Sequence, residues 1–136
     1  MALISRLPSG GIGSVSRTTK IHSGSTQCAN NVVTNVFEFT GGGKVNMIQL
    51  KSNVNLGTDA YLAVVVDGIE LVRFTTSSTT NSMSFFRKKS GSYSFEGSTS
   101  DPTLPLDIEF KETFELVVYA TNNTPTMNYT IEIAEN

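Results

Sequence analysis

The residues able to do chemistry in this chain are few, and their spacing limits what they can do. Two pairs of carboxylates lie close in sequence, Asp107 with Glu109 and Glu112 with Glu115. Two carboxylates flanking a glycosidic bond suffice for general acid–base hydrolysis. The run Leu106-Asp107-Ile108-Glu109-Phe110 alternates apolar and acidic residues, however, which puts both acids on the solvated face of a strand rather than in a cleft. Serine and threonine are plentiful as nucleophiles, but His22 is the single imidazole base, and it sits in an irregular N-terminal stretch. Cys28 is the single cysteine, so the chain makes no internal disulfide and offers no zinc cluster, and His22 adds no second ligand. Both read as inert. Gly41-Gly42-Gly43 lacks the Lys-Ser/Thr that follows a phosphate loop, and a strand pattern stands where that motif needs a helix. Arg87-Lys88-Lys89, between SMSFF and YSFEG, suggests base stacking beside a basic cluster. Alternate phenylalanines in the core with a solvated charged turn explain it better, since acidic residues elsewhere would repel phosphate. The sequons at Asn122 and Asn128 are expected by chance in so Asn- and Thr-rich a chain. The expectation is a non-enzyme with no cofactor, no metal and no nucleic-acid partner.

Those residues must be positioned by a single domain with at most an appendage. A chain of 136 residues can bury roughly two-thirds of its unfolded surface without disulfides or metal. Charged residues make up 16%, below the usual quarter or so, while Ser, Thr, Asn and Gly abound. That balance points to an all-β protein of the extracellular or virion type. The opening MALISRLPSGG holds too short an apolar run for a secretory signal or a membrane span, and no glycine follows Met1. The expectation is a chain beginning near Met1, made in a cytoplasm and not inserted in a membrane.

Residues 60–74, AYLAVVVDGIELVRF, state their own form. Two apolar runs flank Asp67-Gly68, the pair favoured by a two-residue type I′ turn because both central residues need positive φ. Leu62, Val64 and Val66 line one face of the first strand. Ala63 and Val65 make the other face apolar, which predicts a central strand or one covered on both sides. Val36 to Phe39 alternates with both phenylalanines inward. Residues 45–51 form a strand with Ile48 and Leu50 on one face and an irregularity near Met47. Residues 53–59 are a loop. After two short strands around Phe85 and Tyr93, and a crossing loop over 101–105, Leu106 to Phe110 alternates. Phe114, Leu116, Val118 and Ala120 then line one face, opposite Val117 and Tyr119. Tyr129, Ile131 and Ile133 close the chain. About eight short strands with regularly spaced turns predict an antiparallel β-sandwich of jelly-roll type.

Residues 1–31 differ in kind. Pro8, Gly10, Gly11, Gly13 and Gly24 among many Ser and Thr favour extended backbone, an N-terminal arm ahead of a sandwich over 32–136. Ordering such an arm costs roughly 1–2 kcal/mol per residue. Burying Leu3, Ile4, Leu7, Ile12, Val15 and Ile21 returns about 1.5–3 kcal/mol apiece, so backbone hydrogen bonds to another surface are needed as well. The simpler alternative makes this stretch the first strand plus a loop on its own domain. No acidic residue precedes Glu38, whereas Arg6, Arg17 and Lys20 do. From Glu96 onward eight carboxylates face Lys111 alone, an acidic surface suited to the basic arm of this chain or of a neighbour. The assembly contacts expected of the arm are Leu3, Ile4, Arg6, Leu7, Ile12, Val15, Arg17, Lys20 and Ile21.

The start MALISRLPSGGIG, the polar arm behind it, and the phrases AYLAVVVDGIEL and PLDIEFKETFELVVYA together resemble small virion structural proteins of tailed bacteriophages, the decoration, head-fibre and tail-associated kind. The resemblance is one of layout and transfers no site residue. It implies a jelly-roll-like module that forms a homo-oligomer, often a trimer, and docks through its N-terminal segment on other phage structural proteins of the head, neck or tail. The sandwich would then be displayed for capsid decoration or host attachment in a virion assembled in the host cytoplasm. The alternative expectation is a carbohydrate-binding module acting on cell-surface glycans.

Overall fold

The structure, a computed structural model, describes residues 16–54, 56–75, 83–89, 92–96, 106–121 and 124–136, and for 83–89 and 92–96 the backbone alone. Among the described residues, ten strands build two antiparallel sheets. In the first, β1 (Thr18–Gln27) pairs with β10 (Thr126–Glu135), and β10 with β3 (Gly43–Ser52). The other edge of β3 takes β6 (Met83–Lys89), which pairs with β7 (Ser92–Glu96), and, further along, β8 (Ile108–Phe110). The second sheet runs β2 (Val33–Thr40), β9 (Thr113–Tyr119), β4 (Tyr61–Val66), β5 (Ile69–Thr75). With β6 and β8 sharing one edge, the orders β1-β10-β3-β6 and β2-β9-β4-β5 are those of a jelly roll, in which the chain crosses repeatedly between the sheets.

The alternation read from the sequence explains which faces meet. Val45, Ile48, Leu50, Met127, Ile131 and Ile133 from one sheet, and Val36, Leu62, Val64, Phe114, Leu116 and Val118 from the other, are buried in a single cluster. Full burial of side chains of this size stabilises by about 1.5–3 kcal/mol each. A one-residue slip would turn each set to solvent, so the register is strongly held. Register shifts modify the simple pattern. A register shift between Asn35 and Phe37 lets Val36 be buried while Phe37 and Phe39 still pack on the core. Another, between Glu132 and Ile133, pairs Glu132 with Met47 but Ile133 with Val45, the irregularity expected near Met47. On β4, Leu62 and Val64 are buried inward and Ala63 is buried on the opposite face. That follows from its central place between β9 and β5.

The N-terminal stretch divides. Residues 1–15 lie outside the described residues, and with them Leu3, Ile4, Arg6, Leu7, Ile12 and Val15. Residues 18–27 do not belong to a separate arm. They form β1, paired with β10 along its whole length from Thr18 opposite Glu135 to Gln27 opposite Thr126. Residues 18–27, read from the sequence as part of the arm, are thus a strand of the first sheet, and the two sheets are those of the expected antiparallel β-sandwich. Polar β-branched residues with Gly24 in their midst gave β1 no apolar alternation to announce it. As an edge strand it presents only one flank to a neighbour, so its backbone, not its side chains, carries the pairing. The loop expected over 101–105 also lies outside the described residues, as do the side chains of Phe85 and Phe86.

Candidate functional site

Strand directions give the sandwich two unlike ends. At one end the sheets are joined by tight turns at 41–42 and 111–112, with the β4–β5 hairpin turn at 67–68 beside them. At the opposite end lie the described parts of the connections, 28–32, 53–54, 56–60, 120–121 and 124–125. Both Thr18, where the N-terminal segment enters, and Glu135, near the C-terminus, lie at the tight-turn end.

Asp67 and Gly68 take positive φ, 50° and 82°, with Val66 opposite Ile69, so the two-residue turn is as the sequence predicts. The structure adds a second role for Asp67. Its carboxylate accepts hydrogen bonds from the backbone N–H groups of Lys111 (3.0 Å), Glu112 (2.7 Å) and Thr113 (3.1 Å), while its own N–H donates to the Thr113 carbonyl at 2.9 Å. These bonds from Lys111 first, then Glu112 and Thr113, hold its carboxyl below the ordinary carboxylate range. Gly41 N–H donates to the Glu112 carbonyl at 2.9 Å. Gly42, at φ 82°, leaves no room for a side chain, since a Cβ would stand 2.6 Å from Asn136 Nδ2 and 2.9 Å from the Lys111 carbonyl oxygen. The turns and the C-terminus thus form one hydrogen-bonded plate.

The root of the N-terminal segment is fastened to that plate. The Arg17 guanidinium grips Glu109 with two bonds, 2.9 and 3.2 Å, and donates Nε–H to Asn136 Oδ1 at 2.9 Å. The hydrogen bond to Arg17 is the main cause holding the Glu109 carboxyl low. Lys20 reaches Glu135 at 3.6 Å, and His22 Nε2 lies 2.6 Å from Glu135 Oε2. The His22 ring also rests against Phe37 and Phe39, at centroid distances of 5.6 and 5.4 Å, and so closes the side of the sandwich between β1 and β2. The basic stretch therefore meets the acidic C-terminal region, as charge placement suggested, and for Arg17 and Lys20 the partner is their own domain. Ile21 faces solvent. Cys28 is fully buried, and burial pushes its thiol up.

The opposite end has another chemistry. Tyr61 on β4 and Tyr119 on β9 stand directly opposite each other and stack, with centroids 5.4 Å apart. Arg73 places its guanidinium carbon 3.8 Å from the Tyr61 ring centre and is fixed by Glu70 at 2.8 Å. In the same face Asn35 donates to Glu115 at 3.0 Å, and Val33, beside Tyr119, is exposed along with Val32. Sequence reasoning set Tyr119 on the outer face. It missed the partnership with Tyr61 and Arg73, which register alone creates. The carboxylate pairs considered for hydrolysis separate: Asp107 is 3.6 Å from Lys44, Glu109 binds Arg17, and Glu115 accepts from Asn35. Among the described residues no group of three His, Cys, Asp or Glu side chains could hold a metal ion. No protein-family model matches the chain, and no curated protein matches it.

Proposed function

We propose that this chain is a non-enzymatic structural protein of a bacteriophage virion, which docks on the head, neck or tail through its N-terminal segment and holds a jelly-roll sandwich outward for capsid decoration or host attachment. One observation supports this most: the root of the segment is fastened by Arg17 to the end of the sandwich where three tight turns are stitched together, so the opposite end, with the Tyr61, Tyr119 and Arg73 cluster, points away from it. A domain held at one end presents the other, a division that suits docking and display. The resemblance in layout to phage virion proteins supplies the particle, a homo-oligomer, trimeric in this reading, supplies the multivalency, and the virion is its location. The sequence resemblance and this polarity are independent of each other.

The test keeps β1 intact. A chain beginning at Ser16 keeps Arg17 and β1, so it is expected to fold and yet be missing from purified particles. Incorporation of that chain at the level of the full chain would refute docking through the segment. A second reading, a carbohydrate-binding module for cell-surface glycans, is favoured by the Tyr61, Tyr119 and Arg73 cluster. Glycan-array binding by the monomeric chain, lost in Tyr119→Ala, would support it.

A further inference from the structure

We propose that the hairpin of β6 and β7 is a second contact of the docking end, seating its cations Arg87, Lys88 and Lys89 on an acidic surface of the protein that receives the chain. This rests on the docking reading above and names the chemistry of the surface met there. Residues 87–89 lie in strand β6 itself, not in the charged turn expected from the sequence. β6 pairs with β3 only from Met83 opposite Lys51 to Phe86 opposite Ile48. From Val45 to Gly43 the same edge of β3 holds Ile108 to Phe110 of β8, and between the two the Leu106 N–H donates to the Asn46 carbonyl at 3.0 Å. The sheet thus leaves no place for residues 87–89. Among the described residues they pair with β7 alone, Arg87 opposite Ser94, Lys88 opposite Tyr93 and Lys89 opposite Ser92. A two-stranded ribbon with three consecutive cations therefore parts from the sheet.

The ribbon is cationic by its own register. None of the residues opposite the three cations is acidic, and its one carboxylate, Glu96, stands opposite Phe85 at the far end of the pairing. Charge that only protected a sheet edge would sit on the strand that ends the sheet. That strand is β7, which has no Lys or Arg. β6 runs from the Lys51 end of β3 toward its Gly43 end, so its cations head for the tight turns, where Arg17 anchors the segment. The carboxylates of that end are already engaged. Glu109 is held by Arg17, Asp107 by Lys44, Glu135 by Lys20 and His22, and Asp67 by three backbone N–H groups, while Glu112 adjoins Lys111 in one turn. The charge left over at this end comes from the ribbon and from the segment, which adds Arg6 and has no acidic residue. Two cationic elements at one end steer the chain onto an anionic surface, and on the docking reading that surface belongs to a structural protein of the particle.

The full-length chain carrying Arg87→Glu and Lys89→Glu is quantified in purified particles beside the unaltered chain, before and after nuclease treatment, with urea midpoints measured alongside. The expected result is a fall of about tenfold in incorporation at an unchanged midpoint, with the charge-keeping pair Arg87→Lys and Lys89→Arg at the level of the unaltered chain. Should the reversal lower the midpoint, the milder pair Arg87→Gln and Lys89→Gln must still reduce incorporation without lowering it. Undiminished incorporation of a folded variant overturns the ribbon contact and leaves docking by the segment intact. Release of the unaltered chain by nuclease assigns the anion to a nucleic acid and overturns the acidic protein surface. Full incorporation of the chain beginning at Ser16, still abolished by the charge reversal, removes docking by the segment and keeps the ribbon.

Discussion

The two ends of the sandwich are made of the same strands and differ in how their connections are held. At the end that holds Arg17, three short turns share hydrogen bonds, with the Asp67 carboxylate serving Lys111, Glu112 and Thr113 at once. At the opposite end, the described parts of the connections are joined pair by pair, Cys28 N–H to the Pro125 carbonyl at 2.8 Å, Asn31 N–H to Ala120 at 2.7 Å, Thr121 N–H to Leu56 at 2.8 Å and the Thr121 hydroxyl to the Thr58 carbonyl at 2.6 Å. One end hangs on a single carboxylate and the other on bonds spread over several connections. Stability should therefore respond more to single substitutions at the first than at the second.

The largest loss is predicted for Gly42→Val. It combines a β-branched residue at φ 82° with overlap on the Lys111 carbonyl and should cost on the order of 3 kcal/mol in urea unfolding. A midpoint equal to that of the unaltered chain would show that the plate is loose. Gly68→Val isolates conformation from crowding, because nothing lies within 4 Å of an added Cβ while φ is 82°. About 1–3 kcal/mol is expected, and Gly68→Asn should restore much of it, since asparagine tolerates positive φ. A full loss with Asn would place the cost elsewhere than in φ.

Asp67→Ala should act in a pH-dependent way. The folded-state carboxyl of Asp67 is held below its ordinary value, so its contribution is present above the unfolded pKa and disappears as pH falls through the folded one. The gap in urea midpoint between the unaltered and Asp67→Ala chains should be constant near neutrality and shrink below about pH 4. A gap that persists unchanged in acid would contradict the role of the charge. At the other end, Tyr119→Ala removes one stacked ring and is expected to cost only about 1 kcal/mol. A loss rivalling Gly42→Val would erase the distinction between the ends.

Much of this fold was legible because burial imposes period two on each strand. Leu116 and Val118, or Ile131 and Ile133, could point only one way. The Asp67-Gly68 turn was legible because positive φ restricts residue type. β1 was not, since an edge strand of Thr, Ser and Gly is defined by the partner that its backbone finds. The second role of Asp67 joins residues 44 to 46 positions apart, and the Tyr61–Tyr119 stack depends on which strands become neighbours. Neither leaves a local trace. Arg17 was legible as a basic residue seeking an acidic surface, and its choice of Glu109 required the fold.

The docking account is tested most directly by quantifying the full chain and the chain beginning at Ser16 in purified particles, with urea midpoints measured alongside. The account predicts that the full chain is incorporated and the shortened chain is absent from particles while keeping an unchanged midpoint. Equal incorporation of both chains would contradict it.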